Sequence, residues 1–176
     1  MNKILTAYFS RKGQNYWKGE IRDLEKGNTE IVAEYIREAV GGDLFEIRTV
    51  KEYAKEYRAC CAEAHRELQG GVRPALKECP ADLDGYDIIF VGYPNWCGTM
   101  PMAVAAFLEK YDLGGKKIIP FCTNEGSGMG RSEEDLKRIC VDAQVLKGLS
   151  VRGSEAAASR DAVVRWAQEA VKICKR

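Results

Sequence analysis

Three short polar stretches carry the residues best suited to chemistry, and each breaks off directly from an apolar run. They are Ser10-Arg11-Lys12-Gly13-Gln14-Asn15, then Tyr93-Pro94-Asn95-Trp96-Cys97-Gly98-Thr99-Met100-Pro101, then Thr123-Asn124-Glu125-Gly126-Ser127-Gly128. Small polar residues around a glycine let backbone N–H groups come close to an anion, so the first stretch suits a phosphate. In the second, an exposed Trp96 beside Asn95, Gly98 and Thr99 offers an aromatic plate that holds a flat molecule by its face. The third offers glycine backbone able to approach the edge of a planar ring. An anion cradle, a plate and a close-fitting edge together suit a phosphorylated ring compound.

Such stretches need a frame that brings them together. Residues 3–9, 87–93 and 116–122 are apolar runs ended by Pro, Asn or Gly, which reads as buried parallel strands. Residues 43–48 alternate and read as an edge strand, and residues 145–151 hold a last short one. Helices fill the intervals. The first opens at Asn28-Thr29, one of which serves as cap, and ends at Gly41-Gly42. The second runs from about Lys51 to Leu68, with Tyr53, Tyr57, Cys60, Cys61, Ala64 and Leu68 on one face. The third starts at Pro101 with Thr99 as cap, and the fourth at Ser132 with Asp135 completing a capping box. Ser159 caps the fifth.

Strict alternation of strand and helix predicts a parallel sheet with right-handed crossovers and helices on both faces. In a five-stranded doubly wound sheet of order 2-1-3-4-5, the first and third strands are neighbours at the switch point, so their loops face each other across one crevice. Residues 16–27 interrupt the first unit. With Lys18-Gly19 as turn they read as a hairpin-like flap, either a surface insertion or a segment whose Tyr16 and Trp17 wall the ligand site or meet a partner. The reading is one domain over residues 1–176.

Bulk properties narrow the function. Lys+Arg 27 against Asp+Glu 26 leaves a formal net charge of +1, which gives no global field for nucleic acid. No apolar run reaches the roughly 20 residues of a membrane span, and the expected location is the cytoplasm. Seven cysteines without metal spacing read as reduced thiols; the alternative, a redox disulfide, lacks a C-x-x-C. His65 is the only histidine and sits among charges, so a Ser-His or Cys-His triad is not expected. No catalytic residue and no metal ligand is assigned.

The segments Tyr8-Phe9-Ser10-Arg11-Lys12-Gly13, Gly27-Asn28-Thr29, Gly92-Tyr93-Pro94-Asn95-Trp96, Gly98-Thr99-Met100-Pro101 and Cys122-Thr123-Asn124-Glu125-Gly126-Ser127-Gly128 occur in this order, and with them the chain resembles the flavodoxin family, in the branch with an insertion in the first phosphate-binding loop. The resemblance implies non-covalent FMN cycled between redox states. It implies phosphate contacts from Ser10, Asn15, Asn28 and Thr29, with Lys12 and Gln14 also among the cofactor-binding residues. Pro94, Asn95, Trp96, Cys97 and Gly98 would line the isoalloxazine, as would Thr123, Asn124, Glu125, Gly126, Ser127 and Gly128. Cys97 stands where this branch carries a second large aromatic, and Asn124 where His is common. The function implied is electron transfer with redox partner proteins. One alternative is an NAD(P)H-dependent reductase of a small quinone or flavin, and another is a receiver-like or ligand-free binding domain. Oligomeric state is left open.

Overall fold

Alternation along the central strands decides which helices cover which face. In the computed structural model, which describes residues 2–175, Leu5, Ala7, Ile89, Val91, Tyr93 and Ile118 belong to one apolar cluster, while Ile4, Tyr8, Ile88, Phe90, Ile119 and Phe121 belong to the other. Strands buried on both faces have no polar side, which is why they read as unbroken apolar runs. The elements in chain order are β1 Ile4–Tyr8, β2 Gly13–Trp17, β3 Glu20–Leu24, α1 Asn28–Val40, β4 Asp43–Glu46, α2 Tyr57–Gln69, β5 Ile88–Pro94, α3 Met102–Leu108, β6 Lys117–Asn124, α4 Ser132–Ile139, β7 Gln144–Val145, β8 Leu149–Arg152 and α5 Arg160–Cys174. Residues of α1 and α5 fill the second cluster and those of α3 and α4 the first.

The main sheet is parallel, in the order β4-β1-β5-β6, with β7 and β8 both on the outer edge of β6. This is the doubly wound order 2-1-3-4-5, with the switch point between β1 and β5, where Ile4 faces Ile88 and Tyr8 faces Gly92. The fifth strand differs from the single run expected over residues 145–151. Ile118 faces Val145 but Phe121 faces Leu149, so three steps on β6 (118 to 121) meet four on its neighbour (145 to 149). Pro120 has no N–H to give the ladder there, and Gly148 lies against its carbonyl oxygen.

Several helix starts also differ from expectation, because other partners, some distant in the chain and some three residues away, take the groups that capping would use. Neither Asn28 nor Thr29 caps α1. Gly27 occupies that position, and the Ser10 hydroxyl accepts from the Glu30 N–H at 3.1 Å. The helix expected from Lys51 begins only at Tyr57, because Arg11 takes the carbonyls of Ala54 and Lys55 and the Glu56 carboxylate receives the N–H groups of Arg58 and Ala59. Thr99 does not cap α3, which follows Pro101; its hydroxyl donates to Asp135 at 2.6 Å. Ser132 forms no capping box and donates to the Met129 carbonyl. Ser159 donates to the Ala156 carbonyl within a 3-10 turn, Gly153–Ser159, that leads into α5.

Candidate functional site

At the carboxyl end of β1 the chain turns outward into the β2–β3 hairpin, an antiparallel pair separate from the main sheet. Lys18 and Gly19 have φ of 50° and 92°, the two positive values a type I′ hairpin turn requires. The hairpin returns the chain to the start of α1. Gly27 is held tightly there: a Cβ on it would meet the Ser10 hydroxyl and lie 2.8 Å from the Arg11 carbonyl oxygen. Ser10 covers the third amide of α1, which leaves those of Asn28 and Thr29 without a protein acceptor among the described residues. Two free N–H groups at the positive end of a 13-residue helix form an anion seat.

The loops after β5 and β6 are tied to each other. The Asn95 N–H donates to the Thr123 carbonyl at 2.8 Å, and its side-chain amide donates to the Gly128 carbonyl at 2.9 Å. Asn95 Oδ1 in turn accepts from the Gly98 N–H. Trp96 and Thr99 exchange both backbone hydrogen bonds, so Cys97 and Gly98 form the two-residue tip of a turn with φ of 56° and 82°. In the loop after β6, Asn124 Oδ1 accepts from Gly126 and Gly128 N–H groups while its amide donates to Ser150. An asparagine at 124 therefore organises its own loop. Thr29 and Thr123 share a buried hydrogen bond of 2.8 Å, which links the start of α1 to the end of β6.

These three regions enclose a cavity of about 350 Å³. Of the residues singled out from sequence, Asn15, Asn28, Pro94, Asn95, Trp96, Cys97, Thr123, Asn124, Glu125 and Ser127 line it. Ser10, Lys12 and Gln14 line a second cavity, which meets the first at Arg11 and Trp96. Gln14 Oε1 accepts from the Tyr57 N–H and so braces α2. Thr29 is buried beneath the cavity, and Gly98, Gly126 and Gly128 shape its loops. Trp96 is half-buried, not an exposed plate: it packs edge-on to Phe9 at 5.1 Å and to Tyr53 at 4.9 Å.

Sequence reading did not assign one wall. Tyr57, Cys60, Cys61 and Ala64 of α2 line the first cavity, together with Arg11 and Gly153, whereas of the hairpin pair expected as a possible wall Tyr16 lines it and Trp17 does not. The α2 residues recur at helical spacing, which sequence alone reads as a face turned to the core. Gly153 is a close approach, since a Cβ on it would lie 2.5 Å from the Asn28 amide nitrogen.

The electrostatics of the cavity are nearly balanced. Glu125 is the one carboxylate in its wall, and it accepts from the N–H and hydroxyl of Ser154 at 2.6 and 3.1 Å. Arg11 supplies the positive charge, fixed by the Gln14, Ala54 and Lys55 carbonyls at 2.9 to 3.0 Å. Burial pushes the Tyr57 phenol up to about 12 and the Cys60 thiol up to about 11. Cys97 is raised by burial first and by the nearby Cys61 second. Tyr57, Cys60 and Cys97 are thereby held in their neutral forms near pH 7.

Comparison with known proteins places this geometry. Residues 23–170 match the family model described as Flavodoxin. The chain belongs to the flavodoxin family. Among solved structures, this flavodoxin-family chain is similar to a protein of Bacteroides uniformis provisionally named a flavoprotein, at 28% identity and a TM-score of 0.75 over 95% of this chain and 98% of that one. A second, from Bacteroides eggerthii and named in the same provisional way, shares 29% identity with a TM-score of 0.71 over 93% and 98%. A flavoprotein of Lactobacillus acidophilus solved in complex with FMN shares the fold, at 20% identity and a TM-score of 0.65 over 90% and 98%. No curated protein matches the sequence. No helix among the described residues is long and apolar enough to cross a membrane.

Proposed function

We propose that the chain binds FMN in the 350 Å³ cavity and works as an electron-transfer flavoprotein. The observation that carries this reading is the convergence of an open helix start, an aromatic wall and two glycine-bearing loops at the carboxyl edge of β1, β5 and β6. The donor set fits the cofactor. The unpartnered amides of Asn28 and Thr29 and the Asn28 side chain face the place where a phosphate gains from the dipole of α1, by about 0.3 to 1 kcal/mol besides its hydrogen bonds. Asn15 and the Arg11 charge lie beside them. Pro94 to Gly98 and Thr123 to Gly128 border the ring, with Trp96 on one side and Tyr57 and Cys61 of α2 on another. Bound FMN supplies reversible electron uptake, and the protein sets which form is preferred through the groups around the ring. With one carboxylate and one guanidinium in the wall, this chain opposes negative charge on the ring less than a crowded acidic rim does.

The partners are proteins that deliver and remove electrons. A second reading, an NAD(P)H-dependent reductase of a small quinone or flavin, draws on Cys97, whose small side chain at an exposed turn tip leaves one approach to the ring open. Fold alone does not separate the two. The purified protein is expected to be yellow or to become so on FMN addition, and a chain that neither carries nor acquires flavin absorbance sinks the reading. Consumption of NADPH with a quinone by the isolated protein favours the reductase; reduction only through an added reductase favours the carrier.

A further inference from the structure

The second cavity, of about 400 Å³, is built from different material than the first. Its apolar wall is a trio of rings, Phe9, Tyr53 and Trp96, each pair edge to face with centroids 4.9 to 5.9 Å apart. Such mutual packing fixes the rings before anything binds, so no side-chain freedom is lost on occupation. Around them stand five cationic side chains, Arg11, Lys12, Arg48, Lys55 and Lys77, against two carboxylates, Asp23 and Glu52. In a chain whose formal net charge is only +1, that excess is local.

The cations are also uncommitted. Among the described residues Arg11, Lys12, Lys55 and Lys77 form no ion pair, and Arg48 only approaches Glu46, at 3.9 Å. Arg11 is the most constrained: three neutral carbonyls orient its guanidinium but leave its charge uncancelled. A fixed, unpaired cation next to an apolar wall attracts an anion more strongly than a solvated lysine does, because less water screens it.

We propose that this cavity is a second ligand site, for a small flat aromatic anion. The ring of such a ligand packs on the Phe9, Tyr53 and Trp96 wall while its acidic group meets Arg11 and the lysines. An inorganic anion leaves the wall unused, and a neutral aromatic leaves the cations unused. The site shares Arg11 and Trp96 with the FMN reading, and Ser10, Lys12 and Gln14 line it too, but Tyr53, Lys55 and Lys77 are its own, since none of them lines the first cavity. It touches that cavity only through the shared Arg11 and Trp96.

The test uses the full-length protein and 2-naphthoate as probe, followed by calorimetry or ligand-detected NMR with and without saturating FMN. The expected result is binding that leaves FMN in place, is stronger than that of neutral 2-naphthalenemethanol by about tenfold, and weakens with added salt. Inorganic phosphate should compete only weakly. The exposed pair Lys55→Gln and Lys77→Gln, made together, should weaken naphthoate by about three- to tenfold while leaving FMN affinity unchanged. Absence of binding, equal binding of the alcohol, displacement of FMN, or indifference to the double substitution each overturns the proposal. Because the titration is also run without FMN, a chain that fails to hold flavin still gives a result on this site.

Discussion

Trp96 borders both cavities, and its truncation separates packing from ligand contact. Trp96→Ala is expected to weaken FMN binding by about tenfold, the worth of an aromatic contact together with its buried area, measured by quenching of flavin fluorescence. An unchanged dissociation constant would remove Trp96 from the site. Its neighbour Cys97 is a different case. A cysteine at φ 56° sits where L-residues are strained, and the strain is sharpest for side chains branched at Cβ. Cys97→Val should therefore cost about 1 to 2 kcal/mol in chemical denaturation, whereas Cys97→Asn, whose residue type visits that region readily, should be near neutral. Equal losses for the two would show that packing, and not backbone, sets the cost. At position 124 the departure from the family pattern has a local explanation, since the asparagine holds the amides of Gly126 and Gly128 and reaches Ser150.

At the scale of elements, the start of α2 controls a wall of the first cavity. Glu56 caps that helix through the N–H groups of Ala59 and Arg58, and these hydrogen bonds hold its carboxyl below the usual carboxylate range. A carboxyl whose folded pKa is depressed adds stability above its unfolded pKa and loses it as pH falls through the folded one. Glu56→Ala should accordingly lower the melting temperature at neutral pH, and the gap between the two proteins should close as pH drops below the carboxylate range. A gap that stays constant with pH would mean that the side chain acts by packing and not as a charged cap. The start of α1 follows the opposite logic: its own residues leave their amides free, and Ser10 from another element covers only one. That division leaves an anion seat without leaving the helix uncapped.

For the whole molecule, the β2–β3 hairpin is the part least tied to the sheet. It pairs only with itself, and its links to α2 run through Gln14 to the Tyr57 N–H and through Tyr16, stacked at 6.4 Å on Tyr57. Replacing residues 16–21 with a short turn should leave unfolding cooperative, because the six-stranded sheet and both apolar clusters are untouched. FMN affinity should fall, since Tyr16 leaves the cavity wall. Loss of folded protein by circular dichroism would instead make the hairpin a structural element.

The strand runs, the helix intervals and the order of the sheet were legible in the sequence, because burial on both faces imposes unbroken apolar runs and a right-handed crossover admits few arrangements. So were the three loops that border the first cavity, since glycine, proline and small polar residues after a buried strand mark its carboxyl end. Only the tertiary structure decided how the polar groups are spent. Ser10, expected along the chain as a phosphate contact, also accepts from the third amide of α1, Thr99 and Ser132 look like caps but bond elsewhere, and the 3.6-residue face of α2 looks like core but lines the cavity. A hydrogen bond or a cavity wall is chosen by whichever partner the fold brings within reach, and sequence spacing does not record that choice across 20 to 100 residues of chain.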